Sequence, residues 1–323
     1  MSHTTNQNSA NSDSFIEAQQ YSKFMLENLH DGFLPDNFFR NVSDFGNGTT
    51  LNIKTVGTVA LQEVSESTPL VYNPIDTGNV QLVINNYVGD AWAISDILRQ
   101  DGSDIESLLA SRAMESTRAF QEDAETRFLA VCNDSQVAND TNDINGFSHR
   151  HLATGTNRTL VLADIIALGL SFDKANVPAQ GRVLIVDPVT AAVMSLFFTA
   201  NYNANSAPKF TAMLETSFAS EGRFVTNLFG FDIYTSNRLP QATAVEAVSG
   251  GNTVVGDTAN IAMCIADDNC KPIMYASRQS PMAEADRNKD LAQDEFVVRA
   301  RDGFGSQRLD TLQVLFTNPT ATS

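Results

Sequence analysis

The longest single pattern in the chain runs from Ser103 to Asn133. Ile105, Leu108, Leu109, Ala113, Phe120, Ala124, Phe128 and Val131 recur at three- and four-residue steps, which places them on one face of a helix. Ser103 stands three residues before Glu106, the capping-box spacing. The other side carries Glu115 with Arg118, Arg118 with Glu122, and Asp123 with Arg127, pairs that meet across one turn. Glu122, Asp123 and Glu125 read as part of that solvated face. No Gly or Pro interrupts the run, so the helix would be roughly 40 Å long at 1.5 Å per residue. Its apolar stripe is thin and partly alanine, and it needs a broad flat partner such as a sheet. A long surface helix of an ordinary enzyme has the same pattern, so the flanking segments decide.

Before the helix, residues 1–14 are Ser, Asn and Thr with almost no large apolar side chain, the composition of a disordered arm. Phe15, Ala18, Tyr21, Phe24, Met25 and Leu29 give a mildly amphipathic segment that predicts a short docking helix. Pro35, Phe38 and Phe39 predict an anchor into a core. Thr49–Thr58 alternates as a strand, and Val80–Val88 is a second extended run. Between them, Ala60–Gly78 holds Pro69, Pro74 and Gly78 with little core material, so the pair reads as a long hairpin with an irregular tip. Such a hairpin is marginal alone and implies a partner surface, or else a sheet edge folded back on its own domain.

After the helix, Asp134–Asn157 is polar and reads as the boundary between two lobes. The second lobe alternates helix and strand. Ile165, Leu168 and Phe172 mark a helix ending near Asn176, and Arg182–Val186 is a short apolar strand. Asp187 and Pro188 start a helix over Val189–Phe198. Phe231–Tyr234 and Asn260–Ile265 are strands, and the small, Gly-containing run Ala242–Asp257 is a loop or flexible hairpin between them. Phe296–Ala300 and Leu309–Phe316 are read as a closing hairpin turning through Asp302-Gly303-Phe304-Gly305 and returning to the first lobe.

Composition narrows the classes. At 323 residues the chain can bury a large core, and 42% hydrophobic residues is ordinary for a globular protein. A net charge of −17 argues against a dedicated nucleic-acid face, which needs clustered Lys and Arg. The three cysteines, Cys132, Cys264 and Cys270, are an odd set without close pairing, as expected of free thiols in a reducing compartment. Neither a signal-peptide core nor a membrane-length apolar run occurs, so a soluble cytosolic protein with no membrane partner is expected.

Local catalytic chemistry is sparse. There is no dinucleotide fingerprint, P-loop or nucleophile elbow. His149 and His151 lack further ligands at a recognised spacing and read as a mobile-loop pair. Cys264 and Cys270 are too far apart for a C-x-x-C site, and Cys264 in an apolar strand is a small core residue. Asp140–Gly146 faintly echoes a calcium loop, but Gly146 falls one place late and Ile144 occupies a ligand position. No catalytic, cofactor-binding or metal-binding residue is assigned, and no cofactor is expected.

Three segments carry a resemblance. They are Ala175-Asn176-Val177-Pro178-Ala179-Gln180-Gly181-Arg182-Val183-Leu184-Ile185-Val186-Asp187-Pro188, then Gly230-Phe231-Asp232-Ile233-Tyr234-Thr235-Ser236-Asn237-Arg238-Leu239-Pro240, and Asp294-Glu295 through Gly303, Gly305 and Arg308 to Phe316. In this order, with the hairpin and long helix before them, the chain resembles the major capsid protein of tailed bacteriophages, closest to the short-tailed podophage type. The likeness covers nearly all of the chain after about Phe33.

The resemblance implies an α+β tailed-phage capsid fold. It implies an N-terminal arm (1–32), the start of a peripheral domain (33–56), an extended hairpin arm or E-loop (57–88), a peripheral domain (89–158) with the spine helix at 103–133, an axial domain (159–276) and a return to the peripheral domain (277–323). It implies a structural protein that is not an enzyme and that assembles with itself as pentamers and hexamers into an icosahedral shell around double-stranded DNA. The shell would form in the host bacterial cytoplasm and end in the virion. The arm before Phe33 is too short for a fused scaffold, which implies a separate scaffolding protein; a portal protein at one vertex is the other implied partner, whether a decoration protein exists is left open, and DNA would be touched only weakly and without sequence preference. Some relatives cross-link through a Lys in the arm. Here Lys54 lies at the arm's base and Ala60–Gly78 has no Lys, so the cross-link is not carried over. The rival expectations are an encapsulin-like nanocompartment shell and an α/β enzyme without local motifs.

Overall fold

The computed structural model describes residues 33–43, 48–57, 61–64, 66, 72, 74–102, 105–136, 143–200, 224–243, 245–248 and 251–321. The expected arm helix over Phe15–Leu29 and the Ser103 cap lie outside the described residues. In chain order the first elements are β1 (Arg40–Asn41), β2 (Thr50–Val56), β3 (Thr77–Val83), β4 (Asn86–Ser95), α1 (Asp96–Asp101) and the long helix α2 (Ile105–Ser135). Then follow β5 (Asp143–Ile144), β6 (Phe147–Ser148), β7 (Arg150–Leu152), α3 (Leu162–Lys174), β8 (Arg182–Val186), α4 (Pro188–Ala200), β9 (Phe224–Leu228) and β10 (Phe231–Thr235). The last are β11 (Glu246–Ala247), β12 (Thr253–Val254), β13 (Thr258–Cys264), β14 (Ile273–Asn288), β15 (Gln293–Ser306) and β16 (Leu312–Thr317).

Two main sheets result. One has the order β7-β16-β13-β8-β10-β9 and the other β1-β14-β15-β4. The six-stranded sheet is covered on both faces, which is why its central strands read as continuous apolar runs. Because side chains alternate along a strand, Val183, Ile185, Ile261 and Met263 meet Phe128, Leu129 and Cys132 of α2. Their neighbours Leu184, Val186, Ala262 and Cys264 pack with Leu168 and Phe172 of α3 and Met194 of α4 on the other face. Arg182 ties α3 to β8: its Nη2 donates to Asp173 at 2.6 Å and to the Val177 carbonyl at 2.8 Å, with the guanidinium 5.5 Å over the Phe172 ring. Gly181 has φ +68, and a Cβ there would lie 2.7 Å from the backbone N of Ala266, so the turn before β8 demands glycine.

The four-stranded sheet departs from the sequence reading. Phe296–Ala300 does not form a hairpin with Leu309–Phe316. Instead β15 continues through Gly303 and Gly305, and its antiparallel partner is β14. The glycines are close-approach positions rather than turn positions: a Cβ on Gly303 would sit 2.6 Å from the Val83 carbonyl oxygen, and one on Gly305 2.7 Å from Leu82. Val80–Val88 is likewise not one run. It splits into β3, paired with β2 from Thr50↔Val83 to Val56↔Thr77, and β4, paired with β15. β16 joins the six-stranded sheet between β7 and β13, so residues 277–323 do not all return to the first lobe.

The polar stretch after α2 is not a bare boundary either. Asn145-Gly146, at φ 52 and φ 79, turns β5 into β6 as a two-residue hairpin, and β7 pairs in parallel with β16.

Helix α2 spans both sheets, but its buried side is not the full stripe predicted. In the first half Leu108 is 44% exposed, and Phe120 is half-buried. In the second half Phe128, Leu129 and Cys132 are buried, at 3%, 0% and 0%. Phe128→Ala should therefore cost about 3–5 kcal/mol, the range for a large side chain removed from a filled core. Phe120→Ala should cost clearly less, about 1–2 kcal/mol, because its ring borders open space. Urea melts of the two variants check this; equal losses would place Phe120 in a closed core.

Candidate assembly surfaces and the joint that supports them

The acidic face of α2 is where burial matters most. Glu125 is 7% exposed, contrary to the solvated reading. Its Oε1 accepts from Ser236 Oγ at 2.8 Å, and its Oε2 accepts from the Leu34 amide at 3.3 Å and lies 3.5 Å from Arg238 Nη1. Arg238 Nε also meets Glu122 at 3.1 Å, and its guanidinium lies 5.2 Å from the Phe33 ring. The Ser236-Asn237-Arg238-Leu239-Pro240 segment thus holds the helix to the end of β10, with Leu239 inside the shared core.

One half-turn further on, Arg127 reaches the other sheet. Its two Nη atoms bond the two Asp302 oxygens of β15 at 2.8 and 3.1 Å, a bidentate pair, while its Nε bonds Asp123 at 2.9 Å. Asn86 Nδ2 on β4 donates to Asp302 at 2.8 Å. Around this pair Phe39 packs on Phe128, Tyr275 and Phe304 at 5.7, 5.3 and 5.6 Å between ring centroids. Residues 125 to 128 therefore bind the segment before β1, the end of β10 and the β14–β15 hairpin at once.

The arm begins on the far face of the four-stranded sheet. Leu82 and Ile84 pack with Met274 and Ala276, flanked by Leu51, Ile53 and Val80, so the base is anchored. Beyond Val56↔Thr77 the chain leaves this support, and the described tip residues carry apolar side chains into solvent. Val56 is 73% exposed, Leu61 98%, Tyr72 97% and Ile75 78%. Lys54 is exposed on β2 near the base.

The Ala242–Asp257 segment is a packed hairpin rather than a loose loop. β11 pairs with β12, and Ala242, Val248 and Val254 cluster with Ala259, Val314 and Phe316. Both of its charges are matched from within: Glu246 with Arg150, and Asp257 with Arg158 at 3.1 Å, burial holding the Asp257 carboxyl above its ordinary pKa. Val245 and Val255 face outward, at 70% and 53%. Residues 244, 249 and 250 lie outside the described residues.

The histidines are not a mobile pair. His149 is 1% exposed, with Nε2 at 3.1 Å from the Asp310 carbonyl, and its ring packs edge-on to Phe172. His151 lies in β7 with Nε2 at 3.4 Å from Ser171 Oγ. Cys132 and Cys264 are buried, and burial raises both thiol pKa values. Among the described residues no group of three or more His, Cys, Asp or Glu is placed to hold a metal ion.

A last surface feature runs along α2. Between its first half and the four-stranded sheet lies a groove of about 610 Å³, bordered by Trp92, Leu109, Ala113, Ser116, Phe120 and Phe296. It continues past Gln121, Ala124 and Tyr275 into a hollow of about 350 Å³ beside Phe33 and Leu34.

Against this geometry the comparisons are decisive. The profile described as phage capsid protein matches residues 79–314. The chain belongs to the phage capsid protein family. No curated protein matches its sequence. Solved structures share the fold. A chain from Mycobacterium phage Che8 is 18% identical, with a TM-score of 0.65, covering 94% of this chain and 97% of that one. The capsid of cyanophage P-SCSP1u is 14% identical at a TM-score of 0.67, covering 98% and 97%. The mature capsid of bacteriophage PhiM1 is 12% identical at 0.69, covering 97% and 95%. The mixed α+β fold is that of phage capsid structures, and the protein is a major capsid protein that forms the shell, not favouring the nanocompartment alternative.

Two outcomes follow for this capsid protein. Glu125→Ala should lower stability by about 3–5 kcal/mol, because it strips a carboxylate from a buried, multiply bonded site and leaves Arg238 half-paired. Glu115→Ala removes only a partly exposed pair with Arg118 and should change stability by tenths. Denaturant melts separate the two, and a small effect at Glu125 would mean the joint is ornamental.

The second concerns pH. Burial first, then the nearby His149, lowers the His151 pKa from 6.5 to about 4, and burial lowers that of His149 too. The unfolded chain takes up these protons as pH drops through 6.5, whereas the folded chain resists, so the stability they contribute is present above 6.5 and is lost toward pH 4. Between pH 7 and 5 the stability gap between wild type and His151→Gln should narrow by about 1–2 kcal/mol. A gap that stays constant in melts at both pH values would mean His151 titrates normally.

Proposed function

We propose that this capsid protein assembles as pentamers and hexamers into an icosahedral shell around double-stranded DNA, with the arm as its main inter-subunit connector. The observation that carries the reading is the set of exposed apolar side chains on the arm, Val56, Leu61, Tyr72 and Ile75, held out from a subunit whose own core is complete without them. A two-stranded ribbon of this kind is stable only where its tip is covered, and the partner a shell offers is a neighbouring copy. In domain terms, the four-stranded sheet with α2 is the peripheral part, and the six-stranded sheet with α3 and α4 is the axial part. The 242–257 hairpin forms the axial tip. Its matched charges and outward valines suit a position where identical loops crowd together, since unmatched like charges would repel.

The partners beyond itself are a separate scaffolding protein during assembly in the host cytoplasm and a portal at one vertex. The net charge of −17 suits a wall that touches DNA weakly and without sequence preference. The role is structural rather than enzymatic.

Deleting Leu61–Asp76 and closing the ribbon with a short Gly linker tests the reading. The variant should melt within about 1 kcal/mol of wild type, since the described side chains among those deleted are exposed, and should form no shells in negative-stain images of co-expressed material. Normal shells from the variant would remove the arm from the assembly contacts.

A further inference from the structure

The groove along α2 ends where the described chain begins. We propose that residues 15–29 of the same subunit dock in it as a helix, covering the first half of α2 before assembly.

The first argument is position. Phe33 and Leu34 line the inner hollow, Arg238 stacks on the Phe33 ring at 5.2 Å, and the Leu34 amide is tied to Glu125 at 3.3 Å. The chain upstream is thus delivered to the groove's mouth, with only His30, Asp31 and Gly32 between the segment and Phe33. A link this short gives the segment an effective concentration on the order of millimolar at the groove, well above that of a second subunit at ordinary concentrations.

The second is length. From Glu125 to Leu109 the helix wall of the groove rises roughly 24 Å, and a helix over residues 15–29 is roughly 22 Å long. The third is pattern. Phe15, Ala18, Tyr21, Met25 and Leu29 fall at three- and four-residue steps, one apolar stripe of the breadth the groove's walls require, while Glu17, Lys23 and Glu27 fall elsewhere.

Trp92 is the only tryptophan of the chain, so its fluorescence reads the groove directly. In the unassembled full chain, Tyr21→Asp with Met25→Asp should shift Trp92 emission to the red and increase its quenching by acrylamide, equally at all protein concentrations. In a Cys270→Ser background, Ala18→Cys with Ala113→Cys, which the matched lengths place side by side, should form a disulfide within one chain on mild oxidation. The cross-link decides if the two disagree: no disulfide overturns the proposal. A disulfide joining two chains also overturns it and gives the groove to a second copy. Assembly is not needed for either readout, so the shell reading can fail without touching this one.

Discussion

One helix serving two sheets is the constraint on which this capsid protein depends. The six-stranded and four-stranded sheets do not share a strand. Within one turn of α2, three residues tie them together, beside the direct contact of Ile273 and Leu312 in the shared core. Glu125 faces Ser236 and Arg238, Arg127 grips Asp302, and Phe128 enters the core between Ile185, Met263 and Phe304. Buried ion pairs of this kind add little net stability over an apolar fill, but they fix geometry, because each charge has one satisfactory arrangement of partners.

The same economy shows in the arm. Its base is rigid because Gly303 and Gly305 let β3 lie directly on β15, with Leu82 and Ile84 sealed over Met274 and Ala276. Its outer part carries apolar side chains that the subunit itself leaves uncovered. Anchoring one end firmly lowers the ordering cost of engaging the other, since less chain freedom is lost on contact.

Legibility in the sequence followed locality. α2, α3, β8 and α4 were readable because their patterns are local: period 3.6 over many residues, or an apolar run between a glycine turn and an Asp-Pro start. β14 was not, since its outer half is exposed and polar and contains Pro281, leaving no alternation to read. The Gly303-Phe304-Gly305 motif looked like a turn because glycine's two uses, turning and admitting a close neighbour, are identical in sequence. Glu125 looked solvated among charged neighbours, and its partner Arg238 is 113 residues away. His149 and His151 were misjudged for a similar reason: β16, which buries them, arrives from the other end of the chain. The arm's lack of core residues was visible in the sequence, whereas the joint at its base was not.

Native-state hydrogen exchange on the unassembled subunit tests the two-sheet joint most directly. The account predicts that amides of β8 and β13, of residues 125–132 in α2, and of Ile273–Ala276 with Gly303–Gly305 lose protection together in one cooperative opening as denaturant rises. Loss of protection in the four-stranded sheet at low denaturant, while β8 and β13 stay closed, would contradict it, because the helix would then belong to one sheet and merely rest against the other.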